Sequence, residues 1–430
     1  MYYVNDFVYN IKKRLDFAKK RVIIYIIITK KTKKMFFCKK HAIINLGRGG
    51  RKMKLLRVVA NNFKLCEENF TISFVPTGNK TAADKEFELQ EIADDLYVFS
   101  TLGIIGKNAS GKTTVVELLS IIYDIFSNYR INNSKKIFKF IDKPLNLDIT
   151  FYHEGTIYRY LTDLYKNANS VDSTSVFFKN EKLYKREYKK AHARELFNYE
   201  KFEEVKPEVK LPEDTSMIYL LLKDISLRGI YCASDDYIYR DYAQAFNIYK
   251  LLNNNLKVIT SLLKMFDEHL DNIKMINENK YKIIYTNKTT KEVSNSELYE
   301  ILSSGTTKGF GLFTFVVYSL RTGADLIIDE IENHFHKTLV ENLVNLYKDK
   351  SVNKKNATLI FTTHYCEILD LFSRSDNIYI TKYDKAIKLE NMHTNYKFRT
   401  ELSKSNKFYN NEFNTNVSYD ALMAFKKELM

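Results

Sequence analysis

Residues 106–113 read Gly-Lys-Asn-Ala-Ser-Gly-Lys-Thr, and the reading of the whole chain starts there. Before them, residues 96–105 form a β-rich run. After them, residues 113–127 place Val115, Val116, Leu118, Leu119 and Ile122 at helical spacing. A strand, a turn flanked by glycines and a helix make the setting in which backbone N–H groups converge on phosphate, at the positive end of the helix. Gly106, Lys107, Asn108, Ala109, Ser110, Gly111, Lys112, Thr113 and Thr114 are therefore the expected phosphate cradle. Lys112 is expected to reach the β- and γ-phosphates, and the Thr113 hydroxyl to hold Mg²⁺.

Three further stretches belong with this loop. Residues 324–329 (ADLIID) are an apolar strand that ends at Asp329-Glu330. Asp329 is expected in the Mg²⁺ shell, and Glu330 is expected to position or deprotonate the attacking water. Residues 357–362 (ATLIFT) are a second apolar strand, followed by Thr363 and His364. A histidine at the C-terminal end of such a strand faces the ligand crevice of an α/β sheet. Ser303-Ser304-Gly305 precedes an expected helix over 308–321, whose first amides are free to meet an anion. Apolar strands without alternation imply a parallel sheet covered on both faces.

The remaining pattern suggests an N-terminal hairpin (54–60 and 70–75), short strands over 147–187 and a strand over 281–286. Helices are expected over 189–203, 237–276 and 337–348. One apolar stripe, Leu256, Ile259, Leu262, Leu263, Phe266, Leu270 and Ile273, supports the middle helix. The expected organisation is a basic extension (1–52), a first nucleotide-fold segment (53–150), an inserted α+β lobe (151–294), a second nucleotide-fold segment (295–400) and a C-terminal tail or helix (401–430).

Charge is distributed unevenly. The net charge is +15, yet residues 1–52 hold 15 Lys/Arg and 2 Asp/Glu, against 52 and 50 in the other 378 residues. The body is nearly neutral, which weakens a nucleic-acid reading based on net charge alone. Gly47-Arg48-Gly49-Gly50-Arg51-Lys52 before Met53 reads as a translated ribosome-binding site, so Met53 is the expected start. The other reading is a basic arm that touches nucleic acid or an anionic surface. Cys38, Cys66, Cys232 and Cys366 show no paired spacing, which argues against a zinc site or a disulfide framework and for a reducing cytoplasm. No apolar run nears the roughly 20 residues of a membrane span.

Taken together, the motifs resemble those of a known group. Leu302-Ser303-Ser304-Gly305-Thr306 resembles the signature of ABC-type ATPases, with serine in place of the first glycine. Asp329-Glu330-Ile331-Glu332-Asn333-His334-Phe335-His336 resembles the extended Walker B segment of RecF-like ATPases. The order of phosphate loop, signature, Asp-Glu and histidine is similar to ABC-like ATPases of the RecF and SMC group, including stand-alone bacterial proteins of abortive-infection and anti-phage systems. The resemblance implies an α/β ABC-type P-loop fold, a mixed or parallel sheet flanked by helices. It implies ATP and Mg²⁺ as cofactors, and a homodimer or higher homo-oligomer that sandwiches two ATP molecules. In that arrangement Ser303 or Ser304, with Gly305, would act in trans. His364 would sense the γ-phosphate, and Asn62 and Lys64 would lie near the nucleotide.

One departure stands out: neither Gln90 nor Gln244 sits where such ATPases carry a glutamine after the phosphate-loop helix. That group is left for the inserted lobe to replace. The mixed basic and tyrosine segment 179–194 reads as a solvated face rather than a nucleic-acid groove. With 66 residues after His364 and no second carboxylate set, any effector is expected to be a separate protein. The favoured function is a cytoplasmic ATP-driven switch in phage defence or DNA-associated processes, with nucleic acid as a further partner. The alternatives are the ATPase subunit of a transporter, a RecF-like DNA-repair ATPase, or a scaffold that binds ATP without turnover.

Overall fold

The computed structural model describes residues 53–128, 130–133, 137–166, 175–207, 211–218, 229–232, 256–277, 279–333, 336–396, 403–410 and 419–429. By contacts the chain divides into residues 1–41 and 42–430, and every described residue belongs to the second unit. The basic extension 1–52, the first part of the helix expected over 237–276 (residues 237–255), Gln244, His334 and Phe335 lie outside the described residues.

Two six-stranded sheets dominate. One runs β2-β1-β6-β7-β8-β9, from β1 (Met53–Asn61), β2 (Phe70–Ser73), β6 (Leu145–His153), β7 (Thr156–Lys166), β8 (Val176–Glu187) and β9 (Glu203–Val205). All its pairings are antiparallel. The other runs β10-β14-β15-β5-β16-β17, from β5 (Thr101–Ile105), β10 (Gly229–Cys232), β14 (Asp325–Ile328), β15 (Leu359–Thr363), β16 (Ile378–Tyr383) and β17 (Ile387–Asn391). This sheet is parallel except at β16–β17. Strands β5, β14 and β15 are buried at every residue, as a parallel sheet covered on both faces requires.

Helix α1 (Lys112–Ser127) packs Val115, Val116, Leu118, Leu119 and Ile122 into the core between the two sheets. Helices α5 (Ser304–Thr322) and α6 (Lys337–Lys348) fill a second core with Phe310, Phe313, Val316, Leu343 and Val344. A three-stranded sheet, β11-β12-β13 (Leu270–Asn277, Lys280–Tyr285, Thr290–Ser294), joins that core, with α3 (Leu256–Phe266) and α4 (Asn295–Ile301) beside it. Strands β3 (Leu89–Ala93) and β4 (Leu96–Phe99) form a separate hairpin. The shorter helical pieces are α2 (Ile137–Phe140), α7 (Met392–Asn395), α8 (Lys404–Tyr409) and α9 (Tyr419–Glu428). Among the described residues no helix is long and apolar enough to cross a membrane.

Several expectations change. Four described strands do not keep to the expected lobe 151–294: β6 crosses its boundary, β7 and β8 continue the sheet begun by β1, and β10 pairs with β14. Pairing between strands far apart in sequence draws them into the nucleotide fold. Residues 96–105 are two strands in two sheets, with the chain turning at Ser100, whose N–H bonds Glu88 O at 2.9 Å.

The apolar stripe of residues 256–273 is helical only to Phe266. Leu270 and Ile273 lie on β11, because the turn at Asp267 to His269 ends the helix and β12 offers a strand partner. Residues 189–203 hold only a 3₁₀ turn (Lys190–His192) before β9. Their aromatic residues instead cover cations of the sheet face: Arg57 lies 4.0 Å from the Phe197 ring and Arg159 lies 3.9 Å from the Tyr199 ring. In the basic segment 179–194, Lys190 meets Asp94 at 3.1 Å, and Lys189 meets Glu187 at 3.7 Å.

Candidate functional site

The phosphate loop leaves β5 at its C-terminal end and enters α1, and its two glycines are sterically required. A Cβ on Gly106 would overlap the hydroxyls of Thr381 and Ser110. Gly111 has φ +104°, where a side chain is strained, and a Cβ there would also overlap the Ile387 side chain. Ala109 is likewise left-handed, at φ +59°. Ser110 is buried and pairs with Thr381 Oγ1 at 2.6 Å, which in turn meets Ile105 O at 3.2 Å. β16 thus props the loop from behind. Lys107, Asn108 and Ala109 are exposed at its tip, and Thr114 is half-buried.

Lys112 is buried, with only 5% of its surface exposed. Its Nζ donates to Gly106 O at 3.0 Å and Lys107 O at 3.2 Å, and lies 3.4 Å from His364 Nδ1. Burial pulls its ammonium below the ordinary lysine range, while Glu330, Glu332 and Asp329 act against that pull. The Thr113 hydroxyl donates to Asp329 Oδ2 at 2.9 Å.

The Asp-Glu pair closes the site from β14. Asp329 Oδ1 accepts from Thr362 Oγ1 at 2.6 Å, and the same hydroxyl accepts from Glu330 N at 2.7 Å. Glu330 sits at φ +49°, in the left-handed region that a side chain avoids. Asn333 donates to Glu330 Oε2 at 2.6 Å, while Oε1 lies 3.7 Å from His364 Nε2. The backbone N–H of His364 donates to Glu332 Oε1. One imidazole ring therefore separates the Lys112 ammonium from the Glu330 carboxylate.

No motif in the sequence assigns a role to Thr362, Glu332, Asn333 or Thr381. The first three lie inside stretches already singled out by motif. Thr381 carries no such signal, because only the β5–β16 pairing brings it to the loop.

Other expected residues stand apart from this cluster. Asn62 donates to Asn146 Oδ1 at 2.7 Å, and Lys64 pairs with Glu117, one turn beyond Thr113 on α1. Ser303 caps α5, accepting from Thr306 N at 3.0 Å, and Gly305 beside it is exposed. Gln90 is buried and donates to Ala357 O at 2.8 Å, at the start of β15 and so at the opposite end of that strand from His364. The C-terminal end of β10 does reach the site, where Cys232 O accepts from Asp329 N at 2.9 Å.

The oxygen set fits Mg²⁺: a threonine hydroxyl and a carboxylate already converge, and Mg²⁺ takes few protein ligands of this hard type. The backbone fits a phosphate chain, because both glycine positions leave no room for a Cβ.

The chain is similar to several known proteins. A family model described as "AAA domain, putative AbiEii toxin, Type IV TA system" matches residues 102–370, more than half of the chain. The alpha-factor-transporting ATPase of Candida albicans (strain WO-1) is 30% identical over 106 residues, which take in 20% of this chain and only 8% of that protein's length. The SMC head domain from Thermotoga maritima is similar over 79% of this chain and 98% of its own, at 12% identity and a TM-score of 0.35. The recombination mediator RecF is similar over 80% of this chain and 100% of its own, at 10% identity and a TM-score of 0.35. With the family model spanning both the phosphate loop and the Asp-Glu strand, the chain belongs to this AAA-domain family.

Proposed function

We propose that the protein binds ATP with Mg²⁺ and hydrolyses it, acting as a switch that self-associates when ATP is bound. The observation that carries this reading is the linked set Thr113–Asp329–Thr362–Glu330, with His364 between Glu330 and Lys112. Gly106 to Thr114 bind the phosphates through backbone amides, and Lys112 gives up its carbonyl partners to meet them. Thr113 and Asp329 hold the metal, whose charge when bound offsets that of the β- and γ-phosphates. Glu330, fixed by Asn333 and Thr362, orients and deprotonates water, and His364 senses the terminal phosphate.

Ser303 or Ser304, with Gly305, completes the site of a second copy. The exposed N-terminus of α5 supports that role, since its free amides favour an anion. Lys64 and Asn62 border the nucleotide from the β1–β2 loop. The family description, which names a putative AbiEii toxin and a type IV toxin–antitoxin system, supports placing this switch in a defence role. A cytoplasmic location and a separately encoded effector complete the same reading.

The test compares turnover by wild type, Lys112→Ala and Glu330→Gln, and measures the size of Glu330→Gln with and without ATP and DNA. Loss of the general base is expected to slow turnover by about 10²–10⁴-fold. ATP is expected to shift Glu330→Gln to a larger species. Unchanged turnover in both variants, or a Glu330→Gln protein that stays one size at saturating ATP, would overturn the reading.

A further inference from the structure

Glu332 carries no step of the chemistry above beyond the pull of its charge on Lys112, yet it holds the middle of the site. It lies on the 3₁₀ turn Ile331–Asn333, which follows Asp329-Glu330 directly. Its Oε1 accepts the backbone N–H of His364, at the end of the neighbouring strand. Its Oε2 is buried and meets no hydrogen-bond donor among the described residues. A half-satisfied buried carboxylate costs free energy, so its presence is poorly explained by stability.

Position explains it better. The His364 ring stands 3.4 Å from Lys112 Nζ on one side and 3.7 Å from Glu330 Oε1 on the other. Both contacts depend on where the His364 backbone is pinned, and a displacement of about 1 Å is enough to cost a site of this kind about a hundredfold in rate. Thr363 before it is held in the ladder against Ile105, and the N–H of Tyr365 after it turns to Thr363 Oγ1 at 2.9 Å, so beyond the strand the bond to Glu332 is the pin on the His364 N–H.

We infer that Glu332 is a positioning residue, which clamps the backbone of His364 so that its imidazole spans Lys112 and Glu330. The kinetic part of this role rests on the ATP-hydrolysing reading of the site, while the geometric part does not. Glutamine at this position keeps an oxygen for the His364 N–H without a charge to bury. Alanine removes the acceptor, and aspartate keeps the charge but falls one methylene short.

The experiment follows the His364 imidazole by ¹⁵N–¹H NMR in the nucleotide-free protein, with the signal assigned from its loss in His364→Asn. ATP kinetics are measured alongside. Glu332→Gln is expected to keep the wild-type His364 resonances and a kcat within about threefold of wild type. Glu332→Ala and Glu332→Asp are expected to shift or broaden those resonances and to lower kcat by about tenfold or more, with KM nearly unchanged.

Unmoved resonances in both Glu332→Ala and Glu332→Asp would overturn the clamp. A Glu332→Gln protein as impaired as Glu332→Ala would do the same, by showing that charge rather than the hydrogen bond is what counts. Should Glu332→Ala fail to fold, Glu332→Asp carries the comparison with Glu332→Gln. Absence of turnover in the wild type would sink the ATPase reading alone, because the resonances still decide the clamp.

Discussion

Thr362 shows how much a single hydroxyl does in this site. It donates to Asp329 and accepts from the backbone N–H of Glu330, with no exposure to solvent. Valine has the same shape and neither function. Thr362→Val would leave a buried carboxylate short of a donor and a backbone N–H without its acceptor. A loss of about 2–3 kcal/mol is expected in denaturant unfolding, since an unmet buried partner costs roughly that much. Turnover should fall with it, and a variant as stable and active as wild type would show that the hydroxyl is dispensable. His364, two residues later, was legible from its place after an apolar strand, whereas the role of Thr362 depends on the register of β14 against β15.

Among the elements, the turn from phosphate loop to α1 is the most constrained. Gly111 is left-handed and lies under Ile387, the first residue of β17. Gly111→Ala adds backbone strain and a steric overlap at once, with an expected cost of about 1–3 kcal/mol. Binding of a fluorescent ATP analogue should weaken by at least about tenfold, the equivalent of roughly 1.4 kcal/mol. Unchanged affinity would mean that the loop tolerates a side chain there and that the cradle is wrongly drawn. This element was readable from eight residues because its chemistry is local. The region 256–277 was not, because the same apolar stripe continues from a helix into a strand, and only pairing with β12 separates them.

At the scale of the whole molecule, one buried carboxylate joins the two large sheets to the phosphate-loop helix. Asp325 on β14 meets Lys54 of β1 at 2.6 Å, Tyr123 of α1 at 2.8 Å and Thr358 N at 2.8 Å. The same environment raises the Tyr123 phenol well above its ordinary range, through burial first and the Asp325 charge second. Lys54→Met leaves that carboxylate buried without its cation, with an expected loss of about 3–5 kcal/mol. Replacing both partners, Lys54→Met with Asp325→Leu, should recover much of it. Calorimetric melting of the two variants checks this, and a double variant no more stable than the single would refute the coupling.

By itself the sequence determined what depends on residue type and short spacing: the phosphate loop, the strands ending at Asp329-Glu330 and His364, and the helices on either side. Backbone conformation and chemical identity set those features locally, so they survive without knowledge of the fold. Tertiary structure alone decided that residues 145–187 extend the sheet begun by Met53, that β10 lies beside β14, and that Thr381, Ile387 and Glu332 support the site. Those outcomes rest on pairing and packing between residues far apart along the chain, and no local pattern encodes which distant strand supplies the partner.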